Sequence, residues 1–326
     1  MKRLLATALL ALSGIGCAAP IEYPLRSAPE ALVERMGRGD RPILALVLSE
    51  GSWRAFAHIG VIRVLEQAGV RPDLVVGVSG GAIVGALYAS GADAGELSRI
   101  AGIADWSRVT EHALPLLLED ALYRGEGLQS LIDELVDGRT IERLAIPFAA
   151  IVTELDTGRL AVFRRGPTGL AVRASGAVPG RYRPVRIGDH QYADGGLVSP
   201  LPAMAARLLG AGFVIAVDVG YPPGEAVLDG FMSYVYQAFH VQKHRIRQME
   251  AEAADMVIAP VIPPTSGDYG AADREMLIAA GEHTALRDLP TLLRKLASWR
   301  TSTQASTRLQ PGVPPADPPT KKENSQ

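Results

Sequence analysis

Asp73-Leu-Val-Val76, Gly77-Val78-Ser79-Gly80-Gly81 and Ala82-Ile-Val-Gly-Ala-Leu-Tyr-Ala89 follow one another without interruption. The first is an apolar run of strand character, the second a glycine-bounded corner, and the third a helix former. The stretch therefore reads strand, sharp turn, helix, with a serine at the corner. Gly77, Gly80 and Gly81 suit that corner, because a tight strand-to-helix turn forces unusual backbone angles and crowds any Cβ nearby. Such an elbow holds the Ser79 hydroxyl out of the sheet and against the first amides of a helix, whose partial positive charge can stabilise an oxyanion. A five-residue pattern also arises by chance, so its surroundings decide what it means.

Those surroundings alternate strand and helix. Upstream, Pro42-Ile-Leu-Ala-Leu-Val-Leu48 is a near-continuous apolar run, as expected of a strand buried on both faces. Phe56 to Gly69 carries Ile59, Ile62, Val64 and Leu65 among charged residues, which predicts a helix ending at Gly69. Strand, helix, strand, helix implies an α/β fold whose central sheet is mainly parallel and covered by helices. Downstream the same logic predicts a helix over Leu128 to Val136 and strands at Phe148–Thr153 and Leu160–Phe163, joined through Gly158 in a hairpin-like return. A buried strand follows at Phe213–Asp218, then a long helix over Phe231–Ala254, a closing strand at Met256–Ala259 and a last helix over Gly281–Trp299. No internal repeat is evident.

The ends differ from this middle. Lys2-Arg3 precede the apolar run Leu4–Leu12 and the small residues before Cys17, the make-up of a secretory signal too short to span a bilayer. Cys17 is the sole cysteine, so no intrachain disulfide can form. Its place resembles the acceptor cysteine of bacterial lipoproteins, with Gly16 before it. That resemblance implies that the Cys17 thiol is acylated and that the signal segment, 1–17 counted with its acceptor cysteine, is cut just before that residue, and Ala18 next to it implies sorting to the outer membrane of the cell envelope. The bland alternative is an ordinary cleaved signal with an incidental cysteine and a periplasmic product. Residues 18–40 read as a tether and 41–300 as the folded domain. Residues 301–326, rich in Thr, Ser, Pro and Lys, read as a disordered tail.

A formal net charge of −2 gives no electrostatic reason for nucleic-acid binding. No His/Cys/Asp/Glu group has metal-ligand spacing, and nothing in the chain asks for a cofactor. A serine nucleophile does require a base. Of the six histidines, His58, His112, His190, His240, His244 and His283, none has a local setting that marks it as one. Tyr192-Ala-Asp194-Gly195-Gly196 sets a carboxylate between a β-like run and a glycine turn. Alone, that segment is as well explained by an Asx turn.

Together, the buried strand leading into Ser49-Glu50-Gly51-Ser52-Trp53-Arg54, the Ser79 elbow and the Asp194 turn occur in the order found in patatin-like phospholipases. Phe56-Ala-His-Ile-Gly60, Pro147-Phe-Ala-Ala150, Arg173-Ala-Ser175 with Pro179, and Ser199-Pro-Leu-Pro202 add to the resemblance, which covers about Pro42 to Gly220. It implies a three-layer fold and a serine carboxylic ester hydrolase (EC 3.1.1) acting on phospholipid or lysophospholipid through an acyl-enzyme. By the same resemblance Ser79 is the nucleophile, Asp194 the base, and Gly51, Ser52 and Arg54 belong to the oxyanion loop. Membrane lipids would be the substrate, with anchoring through acylated Cys17.

The chain departs from the family in that loop. Glu50, Ser52 and Ala55 stand where glycines are usual, and Trp53 where a small residue is. Amide donation does not depend on the side chain, but a Cβ strains any position needing positive φ, and Glu50 could oppose a developing negative charge. The other reading is thus a patatin-fold envelope protein, weakened or inactive, that binds lipids or partners. Elsewhere, Trp53, Phe56 and Trp106 fit an acyl pocket or plain core, and Leu114–Leu118 a lid or a packed helix. Arg164-Arg165 and the cluster Lys243-His244-Arg245 with Arg247 fit headgroup contact, although a solvated helix face suits the second set better.

Overall fold

The computed structural model describes residues 43–103, 106–110, 121–225, 230–264 and 270–308. The signal with Cys17, the tether, the Trp106 side chain, Leu114–Leu118 and the tail beyond Arg308 lie outside what is described.

The chain begins with β1 (Ile43–Leu48), a 3-10 turn at Ser52–Ala55 and α1 (Phe56–Gln67). The elbow joins β2 (Leu74–Val78) to α2 (Gly80–Ala89), and α3 (Ala94–Ile103) and α4 (Glu126–Leu135) come next. Then follow β3 (Phe148–Glu154), β4 (Arg159–Phe163), α5 (Thr168–Ser175), β5 (Val185–Ile187) and β6 (His190–Asp194). The last elements are α6 (Ala203–Leu208), β7 (Ala211–Val217), α7 (Phe231–Ala251), β8 (Met256–Ile258) and α8 (Ala271–Arg308).

Among the described residues the strands form one sheet, ordered β5-β6-β3-β2-β1-β7-β8, with β4 also on β3. The pairs β1–β2, β1–β7, β2–β3 and β7–β8 are parallel, whereas β4 and β6 run antiparallel to β3. The order reverses between β1 and β7. At such a switch point the loops leaving neighbouring strands diverge and open a crevice at their carboxyl ends.

Side chains alternate along β1 because the strand period is two. Leu44, Leu46 and Leu48 enter a large core with α1, α2, α3 and α8, while Ala45 and Val47 enter a smaller one with α6. That is why β1 reads as an unbroken apolar run. Mainly parallel sheet, helices on both faces and three layers agree with the sequence reading.

The C-terminal helix departs from it. It starts ten residues before Gly281 (281 − 271 = 10) and runs through Arg308, eight residues into the stretch expected to be disordered (308 − 300 = 8). Glycine reads as a breaker, but here Gly281 and Gly60 mark where α8 crosses α1. A Cβ on Gly281 would overlap the Ala57 carbonyl, and one on Gly60 the Ile278 carbonyl. Past Trp299 the hydroxyls fold back onto the helix: Thr301 Oγ1 donates to the Ala297 carbonyl, and Ser302 Oγ and Thr303 Oγ1 to that of Trp299.

Candidate active site

Ser79 occupies the corner between β2 and α2 at φ 53° and ψ −121°, a conformation that non-glycine residues rarely adopt. The corner is crowded. A Cβ on Gly81 would overlap the Leu48 and Ser49 carbonyl oxygens, and one on Gly77 would lie 2.5 Å from the Gly81 oxygen. The end of β1 therefore runs against the first turn of α2, and only glycine leaves it room. The Ser79 N–H donates to Ser175 Oγ at 3.0 Å, and that hydroxyl donates to the Ile151 carbonyl at 2.6 Å. Sterics and two hydrogen bonds fix the elbow.

Sheet register brings Asp194 beside it. Val78 pairs with Ile151, and Val152 pairs with Asp194, so Ser79 and Asp194 flank the same level of β3. Gly195 abuts the Ile151 carbonyl so closely that a Cβ would overlap it. The Gly196 N–H donates to Asp194 Oδ1 at 2.8 Å, which is the Asx turn considered from sequence. The turn and the site placement coexist. Asp194 is fully buried, and both side chains line one cavity of about 310 Å³. Among the described residues the Ser79 hydroxyl makes no hydrogen bond to Asp194; Asp194 Oδ2 instead accepts from Lys243 Nζ at 3.1 Å. In unliganded hydrolases such contacts often tighten only when substrate is bound.

The loop after β1 forms the adjoining wall. Gly51 lies against Val219, and Ser52 takes the positive φ (51°) that the sequence marked as a point of strain. Neither Gly51 N–H nor Ser52 N–H finds a protein acceptor among the described residues. Trp53 and Phe56 stack with centroids 5.9 Å apart and both line the cavity. His58 is buried beneath the loop with Nε2 3.1 Å from the Ser49 carbonyl; burial pulls its pKa down to about 4, the carbonyl opposing, so it stays neutral. Arg54 reaches the other way. Its guanidinium lies 4.1 Å over the Tyr221 ring and pairs with Glu225, clamping the segment after β7.

Helix α7 closes the polar side and corrects the sequence reading. Lys243 and Arg247 do not sit on a solvated face; both are buried, with 6% and 3% exposure. Lys243 Nζ contacts Asp194 and, at 3.5 Å, Glu50, while Arg247 Nη1 meets Glu50 at 2.9 Å. Glu50 thus turns toward cations on α7. Burial raises the pKa of Asp194, Lys243 pulls it back, and Glu50 raises it again. Burial works against the Lys243 ammonium, but Asp194 and then Glu50 outweigh it, leaving its pKa above the usual lysine value. One turn beyond Arg247, Glu250 binds the Ser199 hydroxyl and the Leu201 N–H, and burial lifts its pKa to about 7. His240, set aside in sequence with the other histidines, lines the cavity and stacks on Tyr221 at 4.7 Å. The signal that could have revealed this face is the run Tyr236, His240, Lys243, Arg247, Glu250, spaced four, three, four and three residues apart.

Away from these charges the cavity is apolar. Ile83, Val84 and Leu87 of α2, Leu97 and Ile100 of α3 and Leu128 of α4 line it. From Ser79 to Leu87 the helix advances about 12 Å at 1.5 Å per residue. The site therefore joins a hydroxyl, a carboxylate and unpaired amides to a long greasy wall.

A family model for patatin-like phospholipases matches residues 46–207. The chain belongs to the patatin-like phospholipase family. An uncharacterised NTE family protein of Mycobacterium tuberculosis is 34% identical over 198 residues, 59% of this chain and 52% of that protein. Human patatin-like phospholipase domain-containing protein 6 is 34% identical over 184 residues, 54% of this chain and 13% of the human one. The match thus spans about half the length of the mycobacterial relative. Among solved structures, VipD from Legionella pneumophila aligns at 14% identity over 77% of this chain and 67% of its own, with a TM-score of 0.44.

The patatin-like stretch holds the Ser79 elbow, the Asp194 turn and the loop with Glu50. Helix α7, with Lys243 and Arg247, begins beyond it at Phe231.

Proposed function

We propose that this patatin-like protein is a serine acyl hydrolase that cleaves carboxylic esters of phospholipids or lysophospholipids. Ser79 Oγ attacks the ester carbonyl, its proton passes to Asp194, and Asp194 returns that proton to the leaving oxygen as the ester C–O bond breaks, giving the free alcohol and an acyl-enzyme. A water molecule then releases the fatty acid and regenerates Ser79. Amides of Gly51 and Ser52 and the first turn of α2 receive the oxyanion, and the apolar wall takes the acyl chain. Arg54 acts by holding the segment after β7 against the loop. The observation that carries this reading is the single cavity that Ser79 and Asp194 share with that wall. Acylation of Cys17 and residence in the outer membrane of a bacterial envelope belong to the same proposal, and intact-mass analysis of the mature amino terminus tests them.

The second reading, a lipid-binding protein without turnover, draws support from the Asp194–Lys243 pair and the missing Ser79–Asp194 hydrogen bond. Hydrolysis of p-nitrophenyl acyl esters separates the two. Ser79→Ala and Asp194→Asn should each lose about 10⁴-fold or more in kcat. Equal turnover by wild type and Ser79→Ala would remove Ser79 from the mechanism.

A further inference from the structure

Charges around the site form a chain of alternating sign. Asp194 meets Lys243 at 3.1 Å, Lys243 meets Glu50 at 3.5 Å, Glu50 meets Arg247 at 2.9 Å, and Arg247 meets Asp218 at 3.1 Å. All but Asp218 are nearly sealed from solvent, and Asp218 is only 24% exposed. Three carboxylates against two cations leave one negative charge in excess when every group is ionised. Such a buried surplus makes the cluster a proton acceptor.

Lys243 is the one cation touching Asp194 among the described residues. The other groups acting on the carboxylate are Glu50 from the loop after β1 and the Gly196 N–H from its own turn; Arg247 and His240 of α7 and Asp218 following β7 complete the cluster around Glu50. Burial holds the His240 pKa down, so that ring adds no cation to the set. Glu50 lies within the family match at 46–207, and its two partners lie beyond it. Residues far apart in the chain meet in one contact.

We propose that Lys243 is a positioning residue for the hydrolytic reaction: it keeps Asp194 ionised inside the fold, and Glu50 draws on the same cation so that Asp194 stays basic enough to take the Ser79 proton. This rests on the Ser79–Asp194 dyad. Without Lys243, burial and the neighbouring Glu50 leave Asp194 protonated and unable to accept. Without Glu50, Lys243 bears on Asp194 alone and makes it a poorer base. The two side chains pull the base in opposite directions, and proton transfer is most effective when its pKa lies near the working pH.

The test is the pH profile of kcat/KM on a soluble acyl ester for wild type, K243M, K243R and E50Q, beside the Asp194 carboxyl infrared band assigned by its loss in D194N. In K243M the acid limb and the band should move up by roughly one pH unit or more, with activity recovering in alkali. E50Q should move both down, and K243R should restore the wild-type limb. A uniform loss in K243M with limb and band unmoved overturns the proposal, because a merely structural role predicts that result. If K243M does not fold, E50Q decides: an unmoved or upward limb overturns it. Wild-type turnover by D194N would overturn the dyad and the proposal together, a failure seen without any Lys243 variant.

Discussion

The two halves of the candidate dyad are held by different physics. Ser79 sits in a backbone device, a strained corner made possible by glycines where β1 crosses α2 and tied to β3 through Ser175. Asp194 sits in an electrostatic device, its charge set by a lysine 49 residues away and a glutamate from the opposite end of the domain. Steric exclusion barely responds to pH or to a single charge, whereas a buried ion cluster responds to both. Hence substitutions on the nucleophile side should act through stability and geometry, and those on the base side through protonation.

The largest break in that contrast is Gly81→Ala. Its methyl would meet two carbonyl oxygens that the sheet cannot move cheaply, so we expect a loss of about 3 kcal/mol or more in denaturant unfolding, with turnover falling alongside. A fully active, equally stable variant would contradict the crowded corner. A smaller effect should come from Ser175→Ala. Removing that hydroxyl strands the Ser79 N–H and frees the Ile151 carbonyl in a buried place, at about 1–3 kcal/mol. Its pH profile should keep the wild-type limb. A shifted limb would show that elbow and base are not separable in this way.

The same contrast explains what could be read from the sequence. β1, α1, β2 and α2 were legible because each is encoded within a dozen residues by apolar period and glycine placement. The Gly158 return was legible for the same reason, and β4 indeed pairs antiparallel with β3. Asp194 was half legible: its turn is local, but its place beside Ser79 depends on two registers across β3. Lys243 and Arg247 were misread as solvated because a charged helix face looks alike whether it meets water or carboxylates held inside the fold. Only the fold brings Glu50, Asp194 and Asp218 together to meet it. Gly281 misled in the opposite sense, since a close helix crossing and a helix start use the same residue.

The most direct test of the dyad is covalent. A fluorophosphonate reporter labels a serine only when it is activated, and peptide mapping locates the adduct. Wild type should label at Ser79, and Asp194→Asn should label at least about 100-fold more slowly while melting as wild type does. Labelling at another residue, or equal rates in the two proteins, would contradict the account.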